Sequence, residues 1–366
     1  MGMQNQKILR LVVGFFALML FMAACAGDEE TTDAEPAADD AEPAEEAEPA
    51  EEAEPAEEAE PTEGAEPTEE AEPAEEAEPA GGTVAEGVDL SGVEIGVGSK
   101  EFTEQQIVGQ MAVQALEAAG ASVDDQTGLS GTEVVRNALV SGEIDAYWEY
   151  TGTGWITILG NDEVLEGPEA YYESVRDADV ENEIVWLPTS EINNTYAFLY
   201  GPDAGLEASS ISDLAEVAES DPEMAVLCAA AEFITRPDGL PGVTETYGFE
   251  FSEVVELDLS LAISAASDGE ECTVGEIFQT DPLIAENGLT VLEDDQEFFP
   301  VYNLGMTMRE DVYSENAEAY DTLFGAITEM LNNETMTELN GRVDIDAEDP
   351  ADVAQEFLVD NGIIPG

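Results

Sequence analysis

The stretch Glu149-Tyr150-Thr151-Gly152-Thr153-Gly154-Trp155, entered through Tyr147-Trp148, places four aromatics within nine positions around two glycines and two threonine hydroxyls. A core strand rarely carries such a mixture. Glycines that admit close backbone approach, flanked by rings and hydroxyls, suit the wall of a pocket for a small molecule. Rings bind cations and hydroxyls bind polar tips, so the chemistry to expect is recognition. Asp145 and Glu149 are the acid/base pair that the same stretch offers, which leaves an exported carboxylate hydrolase as a remote alternative.

Composition narrows the field. The 366 residues hold 86 Asp and Glu against 8 Lys and Arg, with no histidine. Without histidine, the usual general base, the commonest transition-metal ligand and every Ser-His or Cys-His nucleophile are missing. A net charge of −78 repels nucleic acid and anionic lipid and draws cations toward any cleft. Hydration of a carboxylate-rich, lysine-poor surface at high salt is the first explanation for that charge. Attraction of cations then follows as a by-product.

The chain start reads as an export signal. Lys7 and Arg10 precede an apolar run from Leu11 to Met22, closed by Ala23-Ala24-Cys25. The run is too short for a stable membrane span, and its small residues suit cleavage. Residues 1–24 are therefore expected to be removed. The small-small-Cys ending resembles a bacterial lipoprotein box, which implies that Cys25 becomes the lipidated first residue and holds the protein on the outer face of the cell membrane. From Asp28 to Gly82 the unit Ala-Glu-Pro-Ala-Glu-Glu repeats, in register from Ala41 to Ala80, with 25 acids and no base. Proline every six residues forbids a continuous helix, and no core is available. Residues 25–82 are expected to be a disordered acidic stalk.

The remainder, with 61 acids and six bases, is long enough for two lobes. Val93–Val97 reads as a strand. Thr103, with Gln106 three residues on, is expected to cap a helix that Gly120 ends. Ala121–Leu129 reads as a second strand, Thr132 as the cap of a helix stopped by Gly142, and Ile144–Trp148 as a third strand. The alternation continues through Thr195–Tyr200, Ser212–Ala218 and Ala225–Cys228, and the tail from Glu315 is helical, with Asp349-Pro350 marking one start. Alternating strands and helices predict an α/β fold with a parallel sheet covered on both faces. Outside the cytoplasm, Cys228 and Cys272 are expected to pair as a disulfide.

At this point particular residues carry a resemblance. Ser99-Lys100-Glu101-Phe102-Thr103-Glu104-Gln105, Gly131-Thr132-Glu133-Val134, Gly142 through Thr153, Glu232-Phe233 with Arg236-Pro237-Asp238-Gly239, Thr280-Asp281 and Phe298 through Asn303 together resemble the osmoprotectant-binding proteins of ABC importers. The likeness runs in order through nearly all of the folded part. It implies the type II periplasmic-binding-protein fold, with lobe I at 83–192 and 301–366, lobe II at 193–300, and the ligand between them. Carried over residue by residue, it implies an aromatic cage of Tyr150, Tyr196, Phe278 and Tyr302, carboxylate contacts from Lys100, Thr153 and Arg236, and Asn194 as a polar neighbour. Phe278 stands where tyrosine is common and Pro282 where glycine is usual, so a phenol hydrogen bond is lost while the ring face remains.

Physical chemistry supports a quaternary ammonium ligand. Such a group has no N–H to donate, and removal of its water is tolerable only where aromatic faces replace the solvent, each contributing up to about 2 kcal/mol. Lys100 and Arg236 would hold a carboxylate, which makes glycine betaine the first expectation and choline or carnitine the alternatives. Another zwitterion or a polyamine would need a carboxylate facing the ammonium in place of one ring. The expected partners are an ABC importer permease and, through the lipid anchor, the membrane. The protein should act as a monomer, without cofactor, metal or catalysis.

Overall fold

The computed structural model describes residues 82–366 apart from 162, 270 and 287. The signal region, the site of lipidation at Cys25 and all but the last residue of the stalk lie outside the described residues. Ten strands follow in chain order: β1 (Glu94–Lys100), β2 (Ser122–Leu129), β3 (Ala146–Tyr150), β4 (Ile184–Trp186), β5 (Tyr196–Tyr200), β6 (Val226–Ala229), β7 (Glu253–Glu256), β8 (Val274–Phe278), β9 (Thr290–Val291) and β10 (Leu304–Arg309). They form two five-stranded sheets, one ordered β2-β1-β3-β10-β4 and the other β7-β6-β8-β5-β9.

Helices cover both sheets: α1 (Thr103–Ala118), α2 (Thr132–Ser141), α3 (Gly167–Asp179), α4 (Ile211–Ser220), α5 (Ala231–Thr235), α6 (Leu240–Tyr247), α7 (Leu259–Asp268), α8 (Leu283–Glu286), α9 (Glu310–Glu315), α10 (Ala317–Thr328), α11 (Asn333–Asp344) and α12 (Pro350–Asp360). Ile107, Met111, Ala115 and Leu116 of α1 are fully buried against Val97 and Trp148 of the first sheet. Such spacing is the apolar stripe expected of a core-facing helix.

The sheets are mixed rather than parallel. β1 pairs in parallel with β2 and β3, but β10 is antiparallel to both β3 and β4. In the second sheet, β6 is parallel to β7 and β8, while β5 is antiparallel to β8 and β9. The cause is the path of the chain. It leaves the first sheet after β4, enters the second as β5, and returns as β10, so each crossing strand joins its new sheet against the prevailing direction. The two crossings, residues 187–195 and 292–303, bond to each other: Asn194 N donates to Tyr302 O at 3.1 Å, Tyr302 N to Asn193 Oδ1 at 2.8 Å, and Asn303 Nδ2 to Ile192 O at 2.7 Å.

Neither threonine is the cap that the spacing suggests. Phe102 precedes α1 as its N-cap and Gly131 precedes α2, neither with a side-chain bond. The Thr103 hydroxyl goes to Asp344 and the Thr132 hydroxyl to Glu232, because each has a tertiary carboxylate within reach. Gly142 does end α2 in the left-handed region, and Asp349 caps α12 ahead of Pro350. Cys228 and Cys272 are joined by a disulfide that links β6 to the approach of β8.

Candidate functional site

Each side of the cleft is built from strand ends. β3 delivers Tyr150 and runs into a π-helical turn, Thr153–Ile158, the form in which backbone irregularity often marks a functional site. The glycines there are required by close approach: a Cβ on Gly152 would lie 2.9 Å from the Tyr302 ring, and one on Gly154 would lie 2.7 Å from Trp186. β5 opens with Tyr196, directly opposite Phe278 at the end of β8. These elements enclose a cavity of about 990 Å³.

All the residues expected at the site line this cavity: Lys100, Tyr150, Thr153, Asn194, Tyr196, Arg236, Phe278 and Tyr302. The rings form a contiguous group. Tyr196 lies 4.9 Å from Phe278 and 5.5 Å from Tyr302, the latter edge-on, between centroids. Phe102 connects Tyr150 to Phe278 at 6.3 and 5.3 Å, and Phe233 stands 5.1 Å from Tyr196. Tyr147 and Trp148 are fully buried, and Trp148 packs edge-on against Phe324. Trp155 is partly buried and donates to Glu163 O.

The bases carry their own partners. Lys100 Nζ contacts Glu149 Oε1 at 2.7 Å and lies 5.4 Å from the Tyr150 centroid. Glu149 also accepts from the Tyr147 hydroxyl and the Tyr150 amide, so it is engaged in holding the strand end rather than paired with Asp145. Arg236 donates from Nε to Asp238 Oδ1 at 2.8 Å and from a terminal nitrogen to Asp238 Oδ2. Its other donors reach Glu232 Oε1 at 2.9 Å and Thr153 Oγ1 at 3.1 Å. Tyr302 and Thr157 hydroxyls complete Asp238 at 2.8 and 3.0 Å. Burial opposes ionisation of Asp238, but the Arg236 guanidinium holds its carboxyl below the usual range. The expected site bases are thus already neutralised by protein carboxylates.

Two buried carboxyls in the wall escaped the sequence reading. Glu104 accepts from the Tyr150 hydroxyl (2.7 Å), Asn194 Nδ2 (2.9 Å), the Thr280 hydroxyl (2.7 Å) and Asn340 Nδ2 (3.2 Å). Burial raises its pKa against the pull of all four donors. Glu276 on β8 is raised from 4.5 to about 8 by burial, opposed by the Ala230 amide and by the nearby Arg236. Phe102 and Glu104 lie in the Ser99–Gln105 run that carries the resemblance, so the signal was present. Glu276 needed strand alternation, which puts it on the face of Phe278 two positions later.

Five hydroxyl bonds cross the cleft: Thr132 to Glu232 (2.6 Å), Thr280 to Glu104, Thr157 and Tyr302 to Asp238, and Thr153, which accepts from Arg236. Among the described residues no cluster of His, Cys, Asp and Glu suited to a metal ion is present.

A profile of the substrate-binding domain of ABC-type glycine betaine transport systems matches residues 93–360. A glycine-betaine-binding protein from Pseudomonas aeruginosa is 36% identical over 277 residues, covering 73% of this chain and 88% of that protein. The glycine betaine-binding protein YehZ of Escherichia coli is 32% identical over 279 residues, covering 73% and 90%. The solved structure of apo YehZ aligns with a TM-score of 0.56 at 29% identity, over 74% of this chain and 99% of that one.

Proposed function

Since the chain belongs to the family of substrate-binding domains of ABC-type glycine betaine transport systems, we propose that it delivers a quaternary ammonium osmoprotectant to its permease, holding the cation in a cage of Tyr150, Tyr196, Phe278 and Tyr302. The observation that carries this reading is the run of rings at the cleft, with Tyr196 4.9 Å from Phe278 and 5.5 Å from Tyr302. Aromatic faces are the one means of replacing water around an ammonium that has no N–H. Phe102 adds a fifth face. Glycine betaine is the ligand in the relatives' names, and choline and carnitine share its cationic head.

The ligand's other end would meet Lys100, Thr153 and Arg236. Because these already contact Glu149, Asp238 and Glu232, a ligand carboxylate there adds to existing ion pairs instead of satisfying bare charges. A second reading, a ligand whose ammonium carries N–H, requires a carboxyl in the wall, and Glu276 supplies one. We further propose that Cys25 anchors the mature protein as a monomer on the outer face of the membrane, with residues 25–82 as a spacer and lobe I drawn from 83–192 and 301–366 around lobe II at 193–300. Titration calorimetry with glycine betaine, choline, carnitine, amino acids and polyamines tests the ligand class. Micromolar binding of a methylated ammonium compound, near −8 kcal/mol, is expected. Binding of unmethylated amino acids alone would overturn it.

A further inference from the structure

Of the two fully buried carboxyls in the cavity wall that form no ion pair, one is saturated and one is not. Glu104 receives two donors on each oxygen, which fills the acceptor capacity of a carboxylate. Glu276 lines the same cavity and is 2% exposed. Among the described residues it accepts one hydrogen bond, from Ala230 N to Oε2 at 2.8 Å. The cation that acts on it is Arg236, whose donors are directed to Asp238, Glu232 and Thr153. Buried carboxyl oxygens find partners, and the space in front of this one is the ligand cavity.

We infer that Glu276 is a specificity-determining acceptor, so that the cavity favours a cation bearing an O–H or N–H donor over one with no donor at all. The inference rests on the quaternary ammonium reading and refines it. Glycine betaine carries only methyl groups and a carboxylate, and it can offer no donor to an ionised Glu276. A choline hydroxyl or the N–H of N,N-dimethylglycine can reach Oε1 while the methyl groups remain against the rings. Alternation along β8 places Glu276 on the same face as Phe278, two positions away, and both line the cavity.

The test is calorimetry at about pH 9, where Glu276 is ionised, on the mature full chain with choline, N,N-dimethylglycine and glycine betaine, in wild type, Glu276→Leu and Glu276→Gln, with Tyr196→Ala as the cage control. Glu276→Leu should weaken a donor-bearing ligand at least about tenfold, the scale of a charge-assisted hydrogen bond, and leave glycine betaine within about threefold on the same scale. Glu276→Gln, which keeps an uncharged acceptor and the residue's shape, should fall between. Loss for choline alone would identify the donor as a hydroxyl, and loss for dimethylglycine alone as an ammonium N–H. Equal changes for all three ligands in both variants would overturn the inference while Tyr196→Ala still reports on the cage. Wild-type protein that binds none of the three would overturn the quaternary ammonium reading itself.

Discussion

At the residue scale, the tyrosines of the proposed cage differ in what their hydroxyls do. Tyr150 donates to Glu104 and Tyr302 to Asp238, whereas the Tyr196 hydroxyl has no protein partner among the described residues. Replacement of any of the three by alanine should weaken binding by about 1–2 kcal/mol or more. Tyr196→Phe should be mild in affinity and in melting temperature. Tyr150→Phe and Tyr302→Phe should keep most affinity but lower stability by about 1–3 kcal/mol, because each leaves a buried carboxylate short of a donor. Calorimetry beside thermal melts separates the two effects, and equal affinity losses for phenylalanine and alanine would show that hydroxyls hold the ligand. Glu276 adds a pH signature. Its folded pKa of about 8 exceeds its ordinary 4.5, so its contribution to stability is full below pH 4.5 and is lost as pH rises through about 8. Relative to Glu276→Gln, wild type should therefore melt progressively lower between pH 5 and pH 9, and parallel curves would refute the assignment. The rings were legible because aromatic residues at strand ends stand out by type. The pairing of Lys100 with Glu149, 49 positions apart, was not, since nothing local says which of many acids lies nearby.

Elements were legible where the signal is local. Apolar periodicity located α1, and the Asp349-Pro350 and Gly142 signals marked a start and a stop that the chain uses. The direction of β5 and β10 was not readable, because strand sense depends on the sheet a segment joins rather than on its own residues. The caps failed for a related reason: Thr103 and Thr132 hydroxyls are taken by Asp344 and Glu232, partners 241 and 100 residues away. The disulfide belongs to this scale. It closes a separation of 44 residues between β6 and the start of β8, and neither cysteine lines the cavity. Reduction should destabilise the fold by up to about 4 kcal/mol in the chain-entropy picture. Calorimetry on the reduced, still folded protein should return nearly unchanged ligand affinity; loss of binding at a temperature where the protein stays folded would contradict this.

For the whole molecule, charge and anchoring act together. A chain of net charge −78 near an anionic surface is repelled unless it is tethered. Cys25→Ala should shift the protein from the detergent phase to the aqueous phase on phase separation, and an unchanged partition would remove Cys25 as the anchor. The crossing bonds matter at the same scale. Thr132 to Glu232 and Thr157 to Asp238 are made by the protein itself, neither threonine lines the cavity, and each bond should contribute about 1 kcal/mol. Thr132→Val with Thr157→Val should lower apparent affinity several-fold for every ligand alike, because it lowers the closed fraction from which tight binding proceeds. A change confined to one ligand would show instead that the threonines touch it. What the threonines lend to affinity they take from fidelity. A closed form held partly by internal bonds is also populated without cargo, and a permease that senses lobe closure alone would be prompted by it. On that reasoning the threonines would bear on the idle rate of ATP hydrolysis as well as on the reach for scarce solute, and the valine pair should quieten the transporter when no solute is present.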